Sequence, residues 1–177
     1  VVDARLNDAH RAVHLALAKG LVVRRASAPS PDGAVRAGDF LIARGDVAAI
    51  ASATGVNFAA VAAPPGRVYA VKKPRIALFQ RHGGGNMDEG WTRLLFERFD
   101  VPYKTLMDAE IKAGGLDAKY DVIVLPADNI QGMTGEVPPA GTRGGGQGPP
   151  PTNTPPEFKS GFGAEGVEAL ETFVKKG

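Results

Sequence analysis

The stretch Pro74-Arg75-Ile76-Ala77-Leu78-Phe79-Gln80, then Arg81-His82-Gly83-Gly84-Gly85-Asn86, then Met87 to Phe99, decides how the chain is read. Ile76 to Phe79 is a short apolar run, the pattern of a parallel strand covered on both faces. Three consecutive glycines free the backbone for a sharp reversal. Asn86 followed by Glu89 has the spacing of a helix N-cap and its return hydrogen bond. Trp91, Leu94, Leu95 and Phe99 recur at helical spacing, and Trp91, Leu94 and Leu95 are expected to build the core. Strand, glycine turn and helix together predict the founding unit of an α/β domain.

Such a turn binds phosphate in some α/β domains. The residues here argue otherwise. Counting from Gly83, the sixth position of a dinucleotide fingerprint is Asp88, not Gly. Counting from Gly85, the spacing to Thr92 is that of a Walker A motif, but Trp91 stands where Lys is needed. Asp88 and Glu89 place negative charge at the helix N-terminus, where they complement the dipole themselves and repel an anion.

Working outward, the halves differ in charge. Residues 1–73 carry ten Lys/Arg against five Asp, +5; residues 74–177 carry eleven Lys/Arg against fourteen Asp/Glu, −3. This predicts two units meeting near Lys72, Lys73 and Pro74. The whole-chain charge of +2 is too small for non-specific nucleic-acid binding to be the main role. No apolar run approaches the roughly 20 residues that span a membrane. With no cysteine, disulfides, Cys-based zinc sites and a Cys nucleophile are excluded. The start at Val1, without Met or a leader pattern, suggests a processed chain or a fragment.

The first unit, 1–73, reads as small α+β. Asn7 or Asp8 would cap a helix to about Lys19, with Gly20 as its stop and Ala9, Val13, Ala16 and Leu17 as its apolar stripe. Strands follow at Leu21–Ala26 and Asp39–Ala43. Asp46 would cap a helix over 47–54, and 57–63 and 67–71 are weaker strands. In the second unit, 74–177, Tyr103–Leu106 and Asp121–Pro126 are further strands. Asp108 would cap a brief turn through Lys112, and a last helix covers 164–176, with Val167, Leu170 and Val174 on one face. Alternating helices and apolar strands imply parallel pairing. Between them, residues 127–163 hold nine Gly and seven Pro and are expected to form a surface insertion or a loop lying over a ligand or neighbouring domain. Three strands leave the first or third as an unprotected edge, so the sheet is expected to be incomplete and to continue beyond Gly177.

Two constellations carry potential chemistry. His10 and His14, at i and i+4, have metal-gripping spacing, but Arg11 occupies the place of the zinc-protease Glu and no third ligand is evident. Arg81, His82 and Asn86 follow the first strand at the carboxyl edge, where α/β sites form, and would suit a small polar or acidic ligand. No Ser or Cys sits on a strand-to-helix elbow beside a suitable His.

The stretch 86–93, Asn-Met-Asp-Glu-Gly-Trp-Thr-Arg, resembles the C-terminal region of large bacterial secreted proteins of the zinc carboxypeptidase (carboxypeptidase A-like) family. Residues 119–126, 155–170 and, more weakly, 37–42 fit the same family. The resemblance implies a catalytic peptidase domain before Val1, acting as the intramolecular partner, and a flavodoxin-like, class I glutamine amidotransferase-like sheet from Pro74. It implies secretion or a periplasmic location, and zinc in the upstream domain only. The peptidase ligand pattern His-x-x-Glu has no counterpart here, because none of His10, His14 and His82 has Glu three residues later. The amidotransferase Cys is also missing. The implied role is a non-catalytic accessory region that supports, or presents substrate to, a metallocarboxypeptidase domain. The alternative is a hydrolytic or small-molecule-binding α/β domain that uses the loop after the first strand to hold a sugar or an acidic ligand; besides the peptidase domain, the partner expected is a peptide or small-molecule ligand.

Overall fold

The computed structural model describes residues 1–43, 45, 47–62, 66–82, 86–135, 155 and 158–177. The chain divides into two compact units. One comprises 1–73 with 96–102, and the other 74–95 with 103–177.

The first unit begins with α1 (Asn7–Ala18), followed by β1 (Val23–Ala26), β2 (Phe40–Ile42), α2 (Ala48–Thr54) and β3 (Val68–Val71). The strands form an antiparallel sheet in the order β2-β1-β3. Ala9, Ala12, Val13 and Ala16 bury one face of α1, packing in a cluster with Val2, Val23, Phe40, Ile50 and Val56. Leu6 holds the N-cap position of α1 and no side chain caps it, so Asn7 and Asp8 lie inside the first turn rather than before it. Residues 57–62 form no strand. Asp46 and Ala63 lie outside the described residues. Arg11 ties α1 into this unit, its Nε donating to Asp100 Oδ2 at 2.7 Å and its Nη1 to the Ala53 carbonyl at 2.9 Å.

The second unit contains β4 (Ile76–Phe79), most of α3 (Met87–Arg98, whose last three residues fall in the first unit), β5 (Tyr103–Leu106), α4 (Asp108–Lys112), α5 (Leu116–Lys119), β6 (Val122–Val124), α6 (Ile130–Thr134) and α7 (Gly163–Lys176). Its sheet is parallel, ordered β5-β4-β6, with Ile76 opposite Tyr103 on one side and Val122 on the other. The first strand is therefore the centre of this sheet; the edges are the second and third. Arg75 and Asp121 fix the β4–β6 register from outside the strands. Asp121 accepts from the Arg75 backbone N–H at 2.8 Å and from its Nη2 at 2.6 Å, and the Asp121 N–H returns to the Arg75 carbonyl at 2.8 Å.

One face of the sheet carries the core. Ala77, Phe79 and Leu106 pack with Ile111 of α4, Leu116 and Tyr120 around α5, and Phe162 before α7. Leu78, on the alternate position of β4, is also fully buried. Each such aliphatic side chain contributes about 1.5–3 kcal/mol of burial. Part of the 127–163 stretch is ordered by this core. Asn129 caps α6 by accepting from the Gly132 N–H, and Met133 packs on the cluster. Residues 136–154 lie outside the described part.

The α3 helix departs from expectation. Trp91, Leu94 and Leu95 are 66, 52 and 53% exposed, and Glu89 is the one buried residue of the helix. These three side chains do not build the core. Polar groups occupy the inward side instead, and the Glu89–Arg93 ion pair satisfies them. In α7, Val174 is likewise largely exposed and Val167 partly so.

The α6–α7 connection depends on two glycines. Gly135 (φ +78°) and Gly161 (φ +136°) bring their backbones into direct contact. A Cβ on Gly161 would lie 2.5 Å from the Gly135 Cα and 2.7 Å from the Thr134 carbonyl oxygen. Phe162 N–H then bonds the Met133 carbonyl at 3.0 Å and seats the ring edge-on against Phe79, 5.5 Å between centroids. Backbone cannot yield as a side chain can, and the positive φ adds strain. Gly161→Ala is expected to cost roughly 2 kcal/mol or more, measured as a fall in the urea midpoint, whereas Gly114→Ala, with open space around it, should cost only its left-handed conformation.

Candidate functional site

The carboxyl edge of the parallel sheet gathers polar residues on both sides of β4. Toward β6 lies the crevice where an open α/β sheet reverses its strand order and places its ligand. Arg81 follows β4, and its Nε lies 3.2 Å from Oδ2 of Asp128, which follows β6; the side chains are 17 and 11% exposed. Asn86 uses both ends of its amide. Its Oδ1 accepts from the Glu89 N–H at 2.7 Å, the expected N-cap bond, and its Nδ2 donates to the Ala127 carbonyl at 2.6 Å. The glycine turn itself, 83–85, lies outside the described residues.

Beneath the first turns of α3, Glu89 pairs with Arg93 one turn on. Arg93 also donates to Gln80 Oε1 and to the Tyr103 hydroxyl, each at 3.3 Å, and its guanidinium stands 5.4 Å from the Tyr103 ring centre. The space left among Phe79, Gln80, Arg81, Asn86, Glu89, Pro126 and Asp128 is about 10 Å³, which is at the lower limit for one water molecule. The crevice is filled by the protein's own ion pairs.

Toward β5 the grouping is different. The Ser160 hydroxyl donates to the His82 carbonyl at 2.9 Å, and the His82 ring meets Phe158 edge-on at 5.9 Å. Asp108, immediately beyond β5, is 4% exposed. Neither of its carboxyl oxygens makes a well-formed hydrogen bond among the described residues. Burial pushes its pKa above the usual carboxylate range; the Gly161 N–H, His82, Lys112 and the Ser160 hydroxyl offset part of that cost. Asp108 opens α4 without capping it; Met107 holds the cap position.

The three residues singled out from sequence are thus separated by role. Arg81 and Asn86 stand on the β6 side, each engaged with the 127–128 segment, while the His82 contacts lie with 158–160. They do not converge on one open cradle. Sequence reasoning missed Asp128 and the Glu89–Arg93 pair, and read Asp108 only as a helix cap. The signals existed: both aspartates follow strands at the carboxyl edge, an apolar one in the case of Asp128, and the pair has i, i+4 spacing.

The other candidate pair lies on α1. His10 sits edge-on to Phe40 at 5.4 Å. His14 is half-buried with its Nδ1 unpartnered among the described residues, and burial, then His10, lowers its pKa against the pull of Asp100. Among the described residues no three His, Cys, Asp or Glu side chains group as metal ligands.

No protein-family model, curated protein or solved structure gives a significant match to the chain.

Two outcomes follow from this geometry. Arg93→Met leaves the Glu89 carboxylate buried without its counter-ion and should destabilise the protein by about 3 kcal/mol in urea unfolding; Glu89→Met with Arg93→Leu should recover most of that loss. The second outcome concerns pH. The folded-state pKa of Asp108 exceeds its unfolded value, so the folded chain binds the proton more tightly. Its contribution to stability falls as pH rises from about 4 through the raised value, and the cost is complete once the pH is above that value. Asp108→Asn should therefore raise the melting temperature at pH 7, by about 2–4 °C per kcal/mol recovered. The gain should shrink as pH falls below about 4, measured by thermal unfolding across pH.

Proposed function

We propose that the chain is a non-catalytic accessory region of an exported zinc carboxypeptidase-family protein, and that its second unit is the first part of a flavodoxin-like, class I amidotransferase-like domain. The sequence resemblance supplies the family. The strand order β5-β4-β6 supports the fold reading, because a flavodoxin-like sheet opens with the order 2-1-3.

The observation that carries the accessory reading is the filled crevice at the β4–β6 switch point. Arg81 is spent on Asp128, and Asn86 on Glu89 and Ala127. Opening a ligand site there means breaking an ion pair with both partners mostly buried, which removes a compensated charge on each side. Arg81 and Asn86 are better explained as the groups that join the β4–α3 turn to the β6 loop. In this reading the peptidase chemistry and its zinc belong to a neighbouring domain of the same polypeptide. Among the described residues, no helix is long and apolar enough to cross a membrane, which is compatible with an exported protein.

The test pairs two measurements on the 177-residue chain. After incubation with equimolar zinc and desalting, metal analysis should find zinc well below stoichiometric. Thermal shift against sugars, acidic amino acids and short peptides should show no stabilisation that Arg81→Ala plus His82→Ala removes. Stoichiometric zinc, or a ligand-induced shift abolished by that double substitution, would overturn the reading.

A further inference from the structure

The α3 helix is inverted relative to an ordinary surface helix. An amphipathic helix turns its apolar stripe inward; here the one buried residue is Glu89, while Met87, Trp91, Leu94 and Leu95 are 75, 66, 52 and 53% exposed. These four recur at i, i+4, i+7 and i+8 and so form one continuous stripe. Gly90 lies on the same exposed side. A glycine inside a helix costs about 1 kcal/mol relative to alanine, yet nothing in the structure requires one here, since a Cβ at Gly90 would meet no atom within 4 Å. A notch beside Trp91 that no described atom fills is suited to an incoming side chain.

The ends of the stripe bear opposite charges. Asp88 is exposed in the first turn and Arg98 in the last, and among the described residues neither has an ion-pair partner. The helix dipole accounts for the signs, but not for four large apolar side chains between them. A surface that is apolar in the middle, acidic at one end and basic at the other matches itself when turned through a two-fold axis.

We propose that α3 pairs antiparallel with α3 of a second copy of this chain. In that register Asp88 faces Arg98 of the second copy at both ends, Trp91 lies against Leu94 of the second copy, and Leu95 of the second copy enters the notch at Gly90. The antiparallel arrangement also sets each helix dipole against its opposite. The stripe offers on the order of 400 Å², typical of the largest apolar patch on a monomer and about half of the ~800 Å² that each side of a standard interface buries. The dimer is therefore weak and concentration-dependent. This inference is independent of the accessory role.

Trp91 is the only tryptophan and sits in the stripe, so its emission reports the contact directly. Sedimentation velocity over a concentration series should show a monomer–dimer equilibrium, with Trp91 emission moving to shorter wavelength as dimer forms. Leu94→Asp with Leu95→Asp should weaken association roughly thirtyfold or more while far-ultraviolet circular dichroism stays unchanged, because both side chains are exposed in the monomer. Asp88→Arg and Arg98→Asp should each weaken self-association by about three- to tenfold, and mixing the two variants should restore it, since the mixed dimer pairs Arg with Asp at both ends. A chain that stays monomeric with unshifted emission would overturn the proposal. So would association that survives the paired Leu substitutions, or charge variants that fail to complement. Capture of a different protein by the stripe, in a chain that does not self-associate, would also overturn it.

Discussion

Glu89 is the one buried residue of α3, and Arg93, a turn further on, is its counter-ion. A carboxylate in that position is costly unless it is paired and its remaining acceptor capacity is used. Arg93 meets that need and extends it, reaching Gln80 beyond β4 and Tyr103 at the start of β5. The pair thereby attaches α3 to the sheet through directional bonds rather than through apolar packing. Two consequences follow. The helix has a defined rotation, because a guanidinium fork accepts few orientations. Its apolar residues are left on the outside, because 3.6 residues per turn cannot place positions 89 and 93 inward together with 87, 91, 94 and 95.

The same economy governs the carboxyl edge of the sheet. In many α/β proteins the switch-point crevice is kept open for a ligand. Here Arg81 closes it by pairing with Asp128, and Asn86 by bonding the Ala127 carbonyl. On the other side of β4, Asp108 is buried without well-formed hydrogen bonds, beneath a segment whose position is set by the contact of Gly135 with Gly161. One side of the edge is electrostatically satisfied and the other holds an unsatisfied carboxyl. The contrast arises because Asp128 meets a guanidinium directly, while burial of Asp108 is only partly offset by the Gly161 N–H, the charges of His82 and Lys112 and the Ser160 hydroxyl.

Much of the architecture is legible in short patterns. Ile76–Phe79 is a strand because four consecutive apolar residues suit a doubly covered central position, and β4 is that central strand. Tyr103–Leu106 and the core of Asp121–Pro126 were equally readable, as was parallel pairing from their alternation with helices. The Asn86 cap was readable from its spacing to Glu89. What failed was the inference from helical periodicity to burial. The periodicity of Trp91, Leu94 and Leu95 is real, but a period reports which residues share a face, not which way that face turns. Glu89 and Arg93 form a second period on the opposite face, and pairing allowed that polar face to be the inner one. The α6 turn was missed because Gly132 and Gly135 read as loop residues, whereas the Asn129 cap and the packing of Met133 order it.

The sequence by itself determined the two-part organisation of charge, the parallel α/β character of the second part and the exclusion of cysteine chemistry, since these depend on composition and on periods within a few residues. Only the tertiary structure decided that Arg81 answers Asp128, that Asp108 is buried with poor compensation, and that α3 presents its apolar stripe outward. Each of these joins residues from different elements, such as 81 with 128 and 108 with 160 and 161. Local spacing carries no information about such distant pairings, because they are fixed by how strands order themselves in the sheet.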